Sequence, residues 1–146
     1  MTRRILHPTD FSKASTPAFA RALAEARQTR SDLIVVHVLA PVIPAVGASE
    51  GYLSPSVYEQ MSKSGRAWAQ KQMDRLLAKA KAARVRARGM LLEGVAHEQI
   101  VRAAKRQRAG LIVMGAYGHS RLREFVFGGA TRHVLDDMTR PVFMSH

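Results

Sequence analysis

Leu111 to Thr131 reads LIVMGAYGHSRLREFVFGGAT. Its first four residues form an unbroken apolar run of the length and branching of a short buried strand, Leu111 to Met114. Two glycines three residues apart follow, Gly115 and Gly118, and then the pair Gly128 and Gly129. Thr131 to Asp137, with Val134 and Leu135 as its apolar members, has the polarity of a helix. A strand, a glycine-rich loop and a helix start present backbone N–H groups to an anion. Glycine lets the backbone approach closely, and the first turn of a helix carries unpaired donors. The spacing suggests a phosphate-binding loop, though of neither well-known nucleotide type. No Gly-Lys pair occurs in the chain, which excludes a Walker loop. A dinucleotide fingerprint needs three glycines within six residues at the first helix, whereas this motif lies near the C-terminus. The plainer alternative, that these glycines only shape turns, stands level with it on spacing alone.

Outward from this block, strand and helix patterns alternate. Arg4 to His7 suits a first strand, and Ser12 to Thr29 carries Phe19, Ala22, Leu23 and Ala26 at helical spacing, with Pro17 tolerated only near its start. Leu33 to Leu39 is a second buried strand. A loop rich in Pro, Gly and Ser follows from Ala40 to Ser54. Ser54-Pro55 supplies a cap and first-turn pair for a long helix to about Ala83, with Met61, Trp68, Met73, Leu76 and Leu77 as its expected inner face. Val85 to Leu92 reads as a third strand, Ala96 to Gln107 as a helix with Ile100, Val101 and Ala104 inward, and Pro141 to Met144 as the last strand. Strands separated by helices imply parallel crossovers, hence a single open α/β sheet with helices on both faces. In such sheets the ligand crevice lies at the carboxyl ends of the strands where the winding reverses. If the first and fourth strands are neighbours, the loop Pro8 to Ser12 faces the glycine loop there.

Composition narrows the function classes. The 146 residues suit one domain, and without cysteine there is no disulfide framework, thiolate nucleophile or cysteine-ligated metal. The apolar stretch behind Arg3 and Arg4 is broken by His7, Pro8 and Asp10, so it lacks the core of a signal peptide. No run approaches the roughly 20 apolar residues of a membrane span. A soluble cytoplasmic protein is expected.

The chain resembles the universal stress protein family from end to end. The resemblance is carried by the turn Thr9-Asp10-Phe11-Ser12 after the first strand, His37-Val38 in the second, LIVMG at Leu111 to Gly115, and RPVFMSH at the end. The nucleotide-binding branch of that family has Gly, two residues, Gly, nine residues, Gly, then Ser or Thr. Gly115, Gly118 and Gly128 fit that pattern without a gap. The resemblance implies one domain over residues 1–146 of the adenine nucleotide alpha hydrolase-like kind, five parallel strands in the order 3-2-1-4-5, and a homodimer through the last strand, 141–145. It also implies a stress-response sensor or regulator that binds ATP, or ADP or AMP, with Mg2+ held through the phosphates rather than by protein ligands. Carried over residue by residue, Asp10, with Thr9 beside it, and the backbone of Val38 meet the adenine and ribose end. Met114, Gly115, Gly118, His119 and Ser120 line the ribose and phosphate path, and Gly128, Gly129, Ala130 and Thr131 hold the phosphates. One position departs from the family pattern: Gly129 stands where it has Ser or Thr. A hydroxyl donor is lost there, worth roughly 1.5–3 kcal/mol against a charged group, though Thr131 offers another.

Each of these residues has a duller role open to it. Asp10 is a common turn residue, and His37 within an apolar strand suits a core histidine bonded to backbone; Arg121 and Arg123 are placed to close over phosphates, yet they and His119 are equally at home as loop surface. The net charge of +12 supports a different class, binding of nucleic acid or another polyanion. Lys79, Lys81, Arg84, Arg86 and Arg88 form one cluster and Arg102, Lys105, Arg106 and Arg108 another; Arg84, Arg86 and Arg88 also fit a solvent-facing row of a charged edge strand. The absence of zinc-finger spacing, a stacking set or a helix-turn-helix argues against specific recognition. A dimeric interaction module without nucleotide is a further alternative. Catalysis is expected to be at most slow ATP hydrolysis, because no Walker lysine or paired carboxylates accompany the glycine block. No catalytic or metal-ligating residue is assigned.

Overall fold

The computed structural model describes residues 3–41 and 54–115, together with the backbone of 142–145. Strand β1 (Arg4–Pro8) leads through a short 3-10 turn at Lys13–Ser15 into helix α1 (Thr16–Thr29), and strand β2 (Asp32–Leu39) follows. Helix α2 (Pro55–Ala82), strand β3 (Ala87–Glu93), helix α3 (Ala96–Arg106), strand β4 (Leu111–Gly115) and strand β5 (Val142–Ser145) complete the described elements. All pairings are parallel, in the order β3-β2-β1-β4-β5. The α/β class with a parallel sheet is as expected. The three described helices link β1 to β4, while the helix expected at Thr131 to Asp137 lies outside the described residues.

Successive strand residues point to opposite faces, and here both faces are covered, as parallel sheets require. Ile5, Leu33, Val35 and Val113 pack against Phe19, Ala22 and Ala26 of α1 and Met73 and Ala80 of α2. Leu6, Ile34, Val36, Ile112 and Met114 pack against Ile100, Val101 and Ala104 of α3. Gly89 of β3 permits the close approach of α2, because a Cβ there would lie 2.6 Å from Cγ and Sδ of Met73. The Ser54 hydroxyl accepts from the Val57 N–H, and Pro55 opens α2 as the cap-and-first-turn pair predicts.

Two sequence expectations are corrected. Met61 and Trp68, expected on the inner face of α2, are 49% and 51% exposed. The helix has 28 residues, about 42 Å at 1.5 Å per residue, against a seven-residue edge strand of about 23 Å. Its first half therefore runs beyond the sheet, and only Ala69, Met73 and Ala80 are fully buried. The arginine row expected in the third strand is also incomplete. The strand begins at Ala87 and Arg84 occupies the exit of α2 with φ 60°. Arg86 and Arg88 are exposed, and β3 does form a sheet edge.

Candidate functional site

The winding of the sheet reverses between β1 and β4: the chain steps from β1 to β2 and β3 on one side, and β4 pairs on the other. At the carboxyl ends of these strands, β1 stops at Pro8, opposite Val36, while β2 continues through His37, Val38 and Leu39 with only β3 beside it. The hydrogen bonds of β2 fix the direction of its backbone there. The carbonyl of Val36 accepts from the Thr9 N–H at 2.9 Å, the Asp32 N–H donates to Arg3, and the Leu33 N–H donates to Arg86. Even-numbered residues of β2 thus direct their polar groups toward β1 and odd-numbered ones toward β3. By the two-residue period, the N–H and C=O of Val38 point past the end of β1, into the crevice.

The loop after β1 is built around its own hydrogen bonds. The Ser15 hydroxyl donates to the Ser12 carbonyl at 2.7 Å, which uses its single proton. The Thr9 hydroxyl, 3.1 Å from Ser15 Oγ, is therefore the donor in that contact, and Thr9 Oγ1 in turn accepts from the Phe11 N–H at 3.0 Å. Oδ1 of Asp10 accepts from the Ser12 N–H at 2.9 Å, an Asx turn that leaves Phe11 at φ 62°. The Phe11 ring then lies against His37, with centroids 4.5 Å apart, and meets Trp68 edge-on at 5.8 Å. This explains the position of Trp68 off the sheet: it buttresses the loop.

Two histidines tie the crevice together. Nδ1 of His37 donates to the Thr9 carbonyl at 2.8 Å, joining β2 to the loop. Nδ1 of His7 donates to the Val113 carbonyl at 2.8 Å, joining β1 to β4 across the switch point. A carbonyl only accepts, so both rings carry the proton on Nδ1. Burial pushes both pKa values down, against the opposing pull of the carbonyl each one meets and of Asp10; for His7 the result is about 4. Both rings are neutral at pH 7. Nε2 of His7 is buried and has no hydrogen-bond partner among the described residues. Among the described residues no cluster of three or more His, Asp or Glu could hold a metal ion.

This turn and switch point coincide with a match that spans residues 1–146, to the Universal stress protein family. The chain belongs to that family. A universal stress protein from Thermus aquaticus is 31% identical over 144 residues, covering 99% of this chain and 98% of that protein. Among solved structures, universal stress protein UspA from Lactobacillus plantarum superposes with a TM-score of 0.81 at 22% identity, covering 99% and 97% of the two chains. A universal stress protein in complex with cAMP gives 0.72 at 20% identity, with the same coverage of each chain. The universal stress protein from Archaeoglobus fulgidus in complex with dAMP gives 0.65 at 19%, again over 99% and 97%.

Within this universal stress protein the structure brings Thr9, Asp10, Val38, Met114 and Gly115 to the same end of the sheet. Their roles there differ. Thr9 is buried and its hydroxyl is committed to the turn, so it positions Asp10 and Phe11. Asp10 is half-buried at the mouth, the Met114 side chain is buried on the α3 face, and Gly115 ends β4. Gly118, His119, Ser120, Gly128, Gly129, Ala130 and Thr131 lie outside the described residues. His7 and the Phe11–Trp68 contact escaped sequence reading. His7 interrupts an apolar run one residue before the loop, a signal of a polar tie rather than of a broken segment.

Proposed function

We propose that this universal stress protein binds an adenine nucleotide in the crevice between the ends of β1 and β4, in the manner of an adenine nucleotide alpha hydrolase-like domain. The observation that carries the reading is the direction of the Val38 backbone. An N–H and a C=O on one strand edge, beyond the end of β1, complement a base edge that presents one acceptor and one donor, as adenine does. The Asp10 turn stands beside them as acceptor for a ribose hydroxyl. The ligands of the relatives bound to cAMP and dAMP share the adenine, a furanose ring and a single phosphate but no free sugar hydroxyl, which supports the base end as the common anchor. ATP with Mg2+ carried on its phosphates is the fullest occupant, the added phosphates running along Gly115, Gly118, His119 and Ser120 to Gly128, Gly129, Ala130 and Thr131. Its output is regulatory and cytoplasmic, a nucleotide-dependent homodimer formed through β5, which stands at the sheet edge.

The test is thermal unfolding of nucleotide-stripped protein with Mg-ATP, ADP, AMP and GTP. At 100 times the dissociation constant a ligand adds about 2.7 kcal/mol of stability. The expected result is a shift specific to adenine nucleotides that is lost in Asp10→Ala, in Gly118→Val and in Val38→Pro. The last substitution deletes the crevice-facing N–H while sparing the ladder to β3, which uses the odd-numbered residues. No shift with any adenine nucleotide, with nothing co-purifying, would overturn the proposal.

A further inference from the structure

The end of the sheet opposite the crevice carries a regular array of arginines. Helix α1 ends on Arg30, α2 on Arg84 and α3 on Arg108, each with a positive φ of 54°, 60° and 52°. Each exit closes with the same bond: Ser31 N–H to the Ala26 carbonyl, Val85 to Ala80 and Ala109 to Ala104, at 2.9, 2.9 and 3.0 Å. In such exits the left-handed position is normally glycine, because a side chain there is strained by order of 1 kcal/mol. All three described helix exits hold arginine instead. A residue that departs three times from local preference at equivalent places points to a role outside the fold.

Strand register sets these residues in a row. The Arg3 carbonyl accepts from Asp32, the Arg86 carbonyl from Leu33, and the Arg4 carbonyl from Gly110. Read across the sheet, Arg84, Arg30, Arg3 and Arg108 mark the starts of β3, β2, β1 and β4. Adjacent strands lie about 4.8 Å apart, so the row spans roughly 15 Å. All four are exposed. Among the described residues the carboxylates near this edge are engaged, Asp32 by Arg86 at 2.6 Å and Glu25 by Arg21 at 3.7 Å. Attraction of cations to helix C-termini accounts for Lys81, Lys105 and Arg106 in the last turns. It extends to Arg4, whose Nη1 donates to the Gln107 carbonyl at the end of α3 at 2.9 Å, but not to Arg3 and Arg86, which flank strands.

We propose that this edge binds the phosphate backbone of double-stranded nucleic acid, without sequence preference. Arginine is the side chain whose planar fork meets phosphate oxygens two at a time. Four arginines over roughly 15 Å can meet about four phosphates of a duplex, which carries one charge per about 1.7 Å of its axis with both strands counted. Phe11, Phe19, Tyr58 and Trp68 all lie elsewhere on the chain, so among the described side chains no aromatic stacks a base at this edge, which favours a duplex over a single strand. The surface is remote from the nucleotide crevice and independent of it.

The test is fluorescence anisotropy with two unrelated DNA duplexes of about 20 base pairs, a single strand of the same length and vesicles containing phosphatidylserine, across salt. Both duplexes are expected to bind alike, and more tightly than the single strand. The slope of log affinity against log salt should be about −3 to −4, from roughly four phosphate contacts. The triple variant Arg30→Gly, Arg84→Gly, Arg108→Gly should lose at least about tenfold in affinity and bring the slope two to three units nearer zero. Its melting temperature should hold or rise, because glycine relieves the left-handed positions. The control Lys63→Ala, Arg66→Ala, Lys71→Ala removes the same charge from the exposed face of α2 and should stay within about threefold of the parent. Equal losses in both triples would reduce the effect to net charge and overturn the proposal, as would an edge triple that binds like the parent. Vesicles bound as tightly as duplex through the same arginines would assign the edge to membranes and overturn it too.

Discussion

His7 shows how one side chain joins the stability of the fold to the geometry of the site. Its Nδ1 bond to Val113 crosses from β1 to β4 where the strands part, and burial holds its pKa at about 4 against an ordinary value of 6.5. The unfolded chain therefore takes up a proton that the folded chain refuses as pH falls from about 6.5 toward about 4. Stability is complete above 6.5 and declines through that window, by about 3 kcal/mol at most from this group. His37, shifted in the same direction, adds to the decline. Urea midpoints measured between pH 7.5 and pH 4.5 should show the loss, and His7→Gln, which keeps a donor for Val113 without a titrating ring, should flatten much of it. A wild-type midpoint that is level over that range would contradict the assignment. Sequence reading expected Asp10 and Val38 at the site but passed over His7, because a single polar residue in an apolar run carries no sign of the neighbouring strand, 106 residues on in the chain, that will meet it.

At the scale of elements, helix α2 is the case in which pattern and packing diverge. Its apolar positions are spaced for a continuous inner stripe, yet the sheet is long enough to cover only the half that holds Ala69, Met73 and Ala80. Periodicity reports which residues share a face; it does not report the length of what the face will meet. That is why Met73 was foreseen correctly while Met61 and Trp68 were not. Strands β1, β2 and β4 and helix α3 were legible because each is short and carries a buried run or one buried face. The contact that fixes α2 on the edge strand is Met73 against Gly89. Gly89→Ala would drive a Cβ to 2.6 Å from the Met73 thioether, itself only 1% exposed, and should cost about 1–3 kcal/mol by overpacking. Met73→Ala alone should cost about 2–5 kcal/mol as a cavity. The pair combined should be less destabilised than the sum, because each change relieves the other. Additive losses in chemical denaturation would mean that α2 is held elsewhere.

At the scale of the whole molecule, the two ends of one sheet are given different chemistry. The carboxyl ends carry Asp10, a directed backbone and two neutral histidines; the amino ends carry the arginine row. Strands of five to eight residues set the ends about 20 Å apart, more than twice the screening length of about 8 Å at physiological ionic strength. Charge added by a nucleotide in the crevice is therefore screened from the arginines. Coupling through the protein would require an element with two arrangements, and β1, β2 and β4 between the two ends are packed on both faces. Saturating Mg-ATP is accordingly expected to change duplex affinity by less than twofold, and duplex to change nucleotide affinity by the same small factor, as reciprocity demands. Anisotropy titrations with and without nucleotide, repeated on Asp10→Ala, measure both directions. A larger effect that disappears in Asp10→Ala would mean that occupancy of the crevice is transmitted along the sheet, and the rigid-sheet argument would fail. An effect that persists in Asp10→Ala would mean that nucleotide competes directly for the arginine edge through its phosphates, and the separation of the two sites would fall instead.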